Sequence, residues 1–311
     1  MRPKEIDRAK AIADGLDSHS KNVTHLAGLS SAARLDCLVE QIIESIRRIE
    51  FVHTIRDKKH DQRRKEPGHP LFEPLKAAAL FQQEGKYDDA FWLTFLATHF
   101  GKHAEDKWSL CAAFYGRLGT GKTWDWETVS ANNGELREWV EHNKAELDAL
   151  PYRFSNHRKY VSLTADGGKG TAAALESYIS WILENGNHAE LIRNTHKSVG
   201  QEPTAAFDSL FGQMDKVRQF GRLGRFDFLT MIGKLGIAPI EPGIPYMKGA
   251  TGPLPGARLL FQNDPNGTLS PGKLDEMLVE LGAELGLGMQ VMEDSLCNWQ
   301  KSPDVFKSFK G

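Results

Sequence analysis

The sequence predicts an all-α fold. Apolar residues recur at spacings of three and four along most of its length, and period-two alternation is nearly absent. Short Gly- and Pro-bearing segments separate the periodic runs. The first clear helix carries Leu35, Leu38, Val39, Ile42, Ile43, Ile46 and Ile49 on one stripe behind a Ser30/Ser31 cap. The pattern repeats at Phe91, Trp92, Phe95, Leu96, His99 and Phe100, and again at Leu175, Tyr178, Ile179, Ile182 and Leu183. Towards the end, Leu274, Met277, Leu278, Leu281 and Leu285 form another stripe, followed by a closing helix with Met289, Met292, Leu296 and Trp299 on its core side.

Between the early helix and the rest lies RDKKHDQRRKEPGHP, dense in charge and closed by Pro67, Gly68 and Pro70. This reads as an exposed connector, so the expected division is a helical segment with its connector at 1–66 and a helical domain at 67–311. With 311 residues the chain can bury a substantial core. Its formal net charge of -2 excludes a polycation, so any nucleic-acid surface must be local. Cys37, Cys111 and Cys297 lie far apart without C-x-x-C spacing, which argues against a disulfide framework or a metal cluster and fits a cytoplasmic protein. The run AFWLTFLATHF is too short and too polar for a membrane span.

The richest stretch covers residues 207–260. Phe207, Leu210, Phe211, Met214 and Val217 form the apolar face of one helix that stops at QFGRLG, and RFDFLTMIGKLG forms a second after a few residues. A tight helical turn of this kind exposes amide groups at the start of the second helix, where the helix dipole is positive and suits a phosphate. Arg218, Arg222 and Arg225 crowd the same turn. An ordinary helical hairpin with a solvated basic rim explains the spacing equally well.

A second constellation is PYRFSNHRKYVSL, in which Arg153, His157, Arg158 and Lys159 lie among aromatic residues. Such a mixture suits phosphate contact with stacking alongside, although a solvated basic loop has the same composition. Residues 116–123, GRLGTGKT, fit the phosphate-loop pattern letter for letter. The flanks argue against nucleotide hydrolysis: WSLCAAFY upstream has helical spacing where a strand is required, and WDW downstream is a poor helix opening. The segment is expected to be a Gly-rich turn. His99 and His103 are four apart, but His99 lies on an apolar stripe and a packed histidine is expected rather than a metal ligand. No metal or cofactor is expected. In the closing helix Asp294, Asn298 and Lys301 lie off the apolar side, and a lysine there is in principle a lyase nucleophile.

The order helix, F-G-R-L-G turn, helix and then an acid resembles the helix-hairpin-helix DNA glycosylases. Gly224 matches the last hairpin glycine, Arg222 stands where a glycine is usual, and Glu241 stands where an aspartate is usual. From about Phe72 onward the chain also resembles the clade 3 family named α-glutamyl/putrescinyl thymine pyrophosphorylase. The matching text is FWLTFLATHFGKH, FSNHRKY, FGRLGRFDFLTMIGKLGIAPIEPG, KGATGPLPGARLLF and MEDSLCNWQKSP. The resemblance extends to phage-defence glycosylases that remove α-glucosyl-hydroxymethylcytosine.

These likenesses imply a helix-hairpin-helix glycosylase-like fold with two helical lobes around a cleft, and an enzyme that flips a modified pyrimidine out of phage DNA and excises it. Glu241, stiffened between Pro239 and Pro242, is the expected catalytic acid, and Asp227, placed in the first turn of the second helix, is the alternative. Arg218, Arg222, Gly224, Arg225, Arg158, Lys159 and Lys248 are the expected DNA contacts, and Asn156, His157, Tyr160 and Tyr246 the expected base or sugar pocket. The family name itself points to another chemistry, a transferase that displaces pyrophosphate from an activated thymine in DNA. DNA is the expected partner, with no membrane and no protein partner inferred.

Overall fold

Apolar stripes at helical spacing do become helices. The computed structural model describes residues 5–159 and 161–308, and every regular element among them is helical. In chain order the α-helices are α1 Ile6–Asn22, α2 Ala32–Asp57, α3 Pro74–Gln83, α4 Tyr87–Phe100 and α5 Ser109–Tyr115. They continue as α6 Trp126–Ala131, α7 Asn133–His142, α8 Lys144–Asp148, α9 Gly170–Glu184 and α10 His188–Val199. The last are α11 Pro203–Gln213, α12 Arg222–Lys234, α13 Pro253–Gln262, α14 Pro271–Leu285 and α15 Met289–Trp299. Period-two pairing is limited to an isolated bridge between His103 and Lys107.

The expected start of α2 holds, since the Ser31 hydroxyl accepts the Arg34 amide at 3.3 Å. The WDW segment departs from expectation. Trp126 opens α6 because the Asp125 carboxylate caps it, accepting the Thr128 amide at 2.9 Å. A carboxylate one residue ahead of the helix satisfies an orphan amide and offsets the modest helix propensity of Trp126.

Packing divides the chain into two units, one made of residues 1–51 and 242–310 and the other of residues 52–241. In the first, α1, the start of α2, α13, α14 and α15 enclose a core that includes Leu16, Leu38, Ile42, Leu260, Leu278, Leu281 and Trp299. Gly256 is required there, because a Cβ on it would sit 2.3 Å from the Leu296 carbonyl where α13 crosses α15.

In the second unit α4 is buried almost all round and serves as the central rod, contacted by α3, α5, α6, α10 and α12. Ala77, Ala78 and Ala79 are buried at the α3 contact, where small side chains let the two helices approach closely. An aromatic column runs through this unit: Phe220 stacks on Phe95 at 4.5 Å, Phe95 on Tyr178 at 3.7 Å, and the Tyr178 hydroxyl meets His188 Nε2 at 2.9 Å. His188 Nδ1 in turn lies 2.6 Å from the Asp88 carboxylate.

His99 is a core residue, as its place on the apolar stripe implies. It is 1 % exposed and bonded through Nε2 to the Thr171 hydroxyl at 3.0 Å. That hydroxyl donates onward to the Ser162 carbonyl, so the neutral ring carries its proton on Nε2. Burial, with a smaller contribution from the nearby Arg158 charge, holds the ring's pKa down to about 3. A histidine whose folded pKa is depressed stabilises the fold above its unfolded pKa of about 6.5 and loses that contribution as pH falls. Burial likewise lowers the pKa of His188, against the opposing Asp88 carboxylate, so both histidines act in the same direction. Lowering the pH from 7.5 to 5 is expected to reduce stability by about 2 kcal/mol through His99 alone. Urea melts at the two values check this, and His99→Gln should flatten the dependence.

Candidate functional site around the α11–α12 turn

The first helix of the turn ends at Gln213 and continues as a single tight turn, Met214–Lys216, before a loop leads to α12. Phe207, Leu210, Met214 and Val217 are buried as expected, and Phe211 is half-buried. The second helix begins three residues earlier than the RFDFL text implies. Gly221 is its N-cap and Gly224 already lies inside it. The amides without a partner inside the helix are therefore those of Arg222, Leu223 and Gly224. Asp227 consequently lies beyond the first turn, which holds no acidic residue, so placing it there for the helix dipole is corrected.

What holds Asp227 is Arg158. This arginine ends a short turn, Asn156–Arg158, and is buried rather than exposed, with 8 % of its side chain open to solvent. Its Nε donates to the Thr98 carbonyl at 3.0 Å, and its guanidinium lies 5.2 Å from the centre of the Phe220 ring. Gly224 makes room for it, since a Cβ there would fall 2.9 Å from Arg158 Nη1. Arg158 Nη2 makes no hydrogen bond among the described residues and lies 3.6 Å from Asp227 Oδ2. A phosphate approaching from solution would not meet this guanidinium. Its position instead suits it to act on Asp227.

The Asp227 side chain is enclosed by protein yet 39 % open to solvent. Burial pushes its carboxyl pKa up, and this outweighs the opposing pull of Arg158, His157, Lys234 and Arg222. The result is a partly exposed carboxylate, paired with Arg158, that holds a proton more readily than an ordinary aspartate. Such a group is stabilised by positive charge developing on a bound substrate and is a better base than an ordinary aspartate.

The other expected residues distribute as follows. Arg225 closes the turn. Its Nε donates to the Phe220 carbonyl at 3.0 Å, its Nη1 to the Phe211 carbonyl at 3.3 Å, and it pairs with Asp215 at 2.5 Å. Arg222 lies over the Phe226 ring at 4.7 Å. Arg218 is exposed, its amide donating to the Ser177 hydroxyl at 2.9 Å and its guanidinium beside Gly168. Asn156, His157 and Lys159 are exposed next to Arg158, whereas Tyr160 lies outside the described residues. Arg153 is turned away and bound to Asp106 at 2.9 Å and to Glu105. The structure thus brings His157, Arg158, Arg222, Gly224 and Asp227 together.

Glu241 is exposed, and its amide donates to the Pro203 carbonyl at 3.3 Å. The loop before it is held against α12, since a Cβ on Gly233 would sit 2.2 Å from the Ile240 carbonyl. Tyr246, buried at φ 54°, and Lys248, exposed, belong to the other unit. There Asp294 accepts from Arg48 at 2.6 Å, Asn298 donates to Asp294, and Lys301 donates to Asn298 at 3.1 Å. Sequence reasoning missed Thr98 and Phe220, which fix Arg158, and Lys234, which biases Asp227. Phe220 carries a visible signal, an aromatic residue in the middle of an otherwise polar turn.

The family of the chain can now be stated. A family model described as alpha-glutamyl/putrescinyl thymine pyrophosphorylase clade 3 matches residues 33–311. The chain belongs to that family. The match includes the α11–α12 turn, Arg158 and Asp227, and it places the protein among enzymes associated with modified thymine. No curated protein and no solved structure matches the chain. Among the described residues no helix is long and apolar enough to cross a membrane, and no group of three or more His, Cys, Asp or Glu could hold a metal ion.

Proposed function

We propose that this member of the family is a DNA glycosylase that excises a modified pyrimidine, α-glucosyl-hydroxymethylcytosine in phage DNA being the expected substrate, and leaves an abasic site as an anti-phage defence. The observation that carries this reading is the Asp227 carboxylate, open to solvent beside buried Arg158 on a two-helix turn whose amides and arginines suit a phosphodiester. As the base departs, positive charge develops at C1′ of the sugar, and a carboxylate close to that carbon favours that transition state over the ground state. The same acid orients or deprotonates the attacking water.

In this reading Arg218, Arg222, Lys159 and the amides near Gly224 hold phosphates, while Asn156, His157 and Tyr160 meet the flipped base or its sugar. Arg158 positions Asp227, and Arg225 holds the turn that presents it. Glu241, exposed and bonded through its amide to the Pro203 carbonyl, is the alternative candidate for the catalytic acid.

The test incubates purified protein with phage DNA of known modification and scores alkali-labile breaks. Wild type is expected to generate them without added cofactor, and Glu241→Gln to retain at least about a third of the rate, an effect below the tenfold that 1.4 kcal/mol represents. Loss of activity in Glu241→Gln, with DNA binding intact, would return the catalytic role to Glu241.

A further inference from the structure

A second feature of the same unit lies outside the proposed catalytic site. Residues 116–123, GRLGTGKT, do not follow a strand; they follow α5, and no strand occurs among the described residues. The nucleotide-hydrolase architecture is therefore missing, yet the loop is shaped in an unusual way. Arg117 and Leu118, neither of them glycine, adopt the left-handed region at φ 48° and 57°, and Gly119 and Gly121 follow at 82° and 79°. Each non-glycine residue so placed costs about 1–3 kcal/mol, and such strain gathers at ligand clamps. The strain is held by Arg117, whose guanidinium stacks 4.1 Å over the Trp124 ring and reaches Glu135 at 3.2 Å.

The loop forms one wall of an open groove of about 1000 Å³ whose other walls include His69, Trp108 and Tyr152. That volume is at the upper end of what a small-molecule or nucleotide site requires. Gly119, Gly121 and Lys122 line it. Right-handed Thr120 followed by left-handed Gly121 is the backbone alternation that turns successive amides to one side and creates an anion-binding concavity. The amides of Gly121 and Lys122 carry no hydrogen bond among the described residues. The Lys122 side chain is exposed and has no ion-pair partner among them. A Cβ at Gly119 or Gly121 would meet nothing within 4 Å, so these glycines serve the backbone conformation rather than packing. Glu105 and Asp106 also border the groove, but Arg153 pairs with both.

We infer that loop 116–123 is a phosphate-binding site, in which the Gly121 and Lys122 amides and the Lys122 ammonium hold a phosphate group of a nucleotide while the groove takes the remainder. The phosphate arrives either free, as a small phosphorylated ligand, or within a DNA strand. The site binds without hydrolysing, and it stands independently of the glycosylase reading because it shares no residue with the Asp227 site.

Isothermal titration of the full-length protein with inorganic pyrophosphate, and separately with an unmodified single-stranded oligodeoxynucleotide, tests this. At least one probe is expected to bind, and both Lys122→Ala and Gly121→Ala to weaken it about tenfold, with thermal melting unchanged in Lys122→Ala and lowered in Gly121→Ala by the left-handed backbone there. Saturable pyrophosphate binding weakened in both variants assigns the site to a free phosphorylated ligand, and strand binding alone, weakened in both variants, assigns it to DNA. Absence of binding by either probe, or wild-type affinity in either variant, overturns the inference. Base release from phage DNA, measured on the same variants, reports separately on the catalytic proposal.

Discussion

Asp227→Asn is expected to slow base release by about 10²–10⁴-fold while leaving DNA affinity unchanged or slightly higher. The amide keeps the shape of the side chain but cannot offset positive charge at the sugar or accept a proton from water, and each of those contributions is commonly worth about that much. Loss of one negative charge beside the turn proposed to hold phosphates cannot weaken the electrostatics of binding. The wild-type rate should also fall on acidification, because the active form is the carboxylate. Burial raises the pKa of this group from its ordinary 3.8, so the acid limb of the rate profile should lie above that value. Single-turnover rates across pH, with DNA affinity measured in parallel, check both statements. A rate in Asp227→Asn within threefold of wild type would remove Asp227 from the chemistry.

Arg158→Ala is expected to destabilise the protein by about 2–4 kcal/mol, the range for deleting a large, buried, hydrogen-bonded side chain. It removes the bond to the Thr98 carbonyl and the contact with Phe220, and leaves space beneath Gly224. The ion pair itself adds little to that figure, since Asp227 is 39 % open and can be rehydrated. Arg158→Lys keeps a charge but not the planar fork that spans Thr98 and Asp227, so it should recover only part of the loss. Exposed Arg218 and Lys159 offer the contrast: alanine there should change stability by no more than about 0.5 kcal/mol while weakening DNA binding and reducing its salt dependence. Denaturant melts and salt-titrated binding separate the two classes. Stability of Arg158→Ala equal to that of Arg218→Ala would mean that Arg158 is not the buried support described here.

Several elements could be read directly from local pattern. The stripes of α2, α4, α9 and α14 lie where their spacing predicts, and Ser31 caps α2, because these depend on residues within a turn or two of each other. The boundary of α12 could not be read so well. Gly224 resembles the glycine that ends a turn, but it is a helical residue whose missing side chain admits Arg158 from a segment more than sixty residues earlier. The same distant contact turned Arg158 from an expected phosphate ligand into a buried support, while the earlier start of α12 at Arg222 leaves Asp227 beyond the first helical turn. At α6 the tryptophans of WDW hid the capping role of Asp125, a local interaction that residue propensity alone underrates. In GRLGTGKT the helical flank was readable, whereas the strained backbone at Arg117 and Leu118 depends on Trp124 and Glu135 and leaves no mark in the letters.

The central claim, that the enzyme severs the bond between a modified base and its deoxyribose, is tested most directly by mass analysis of both products after incubation with glucosylated phage DNA. The account predicts a free glucosylated pyrimidine in solution and an equal number of abasic sites in the DNA, both missing with Asp227→Asn. Intact DNA whose bases have gained mass, with pyrophosphate released and no free base, would contradict it.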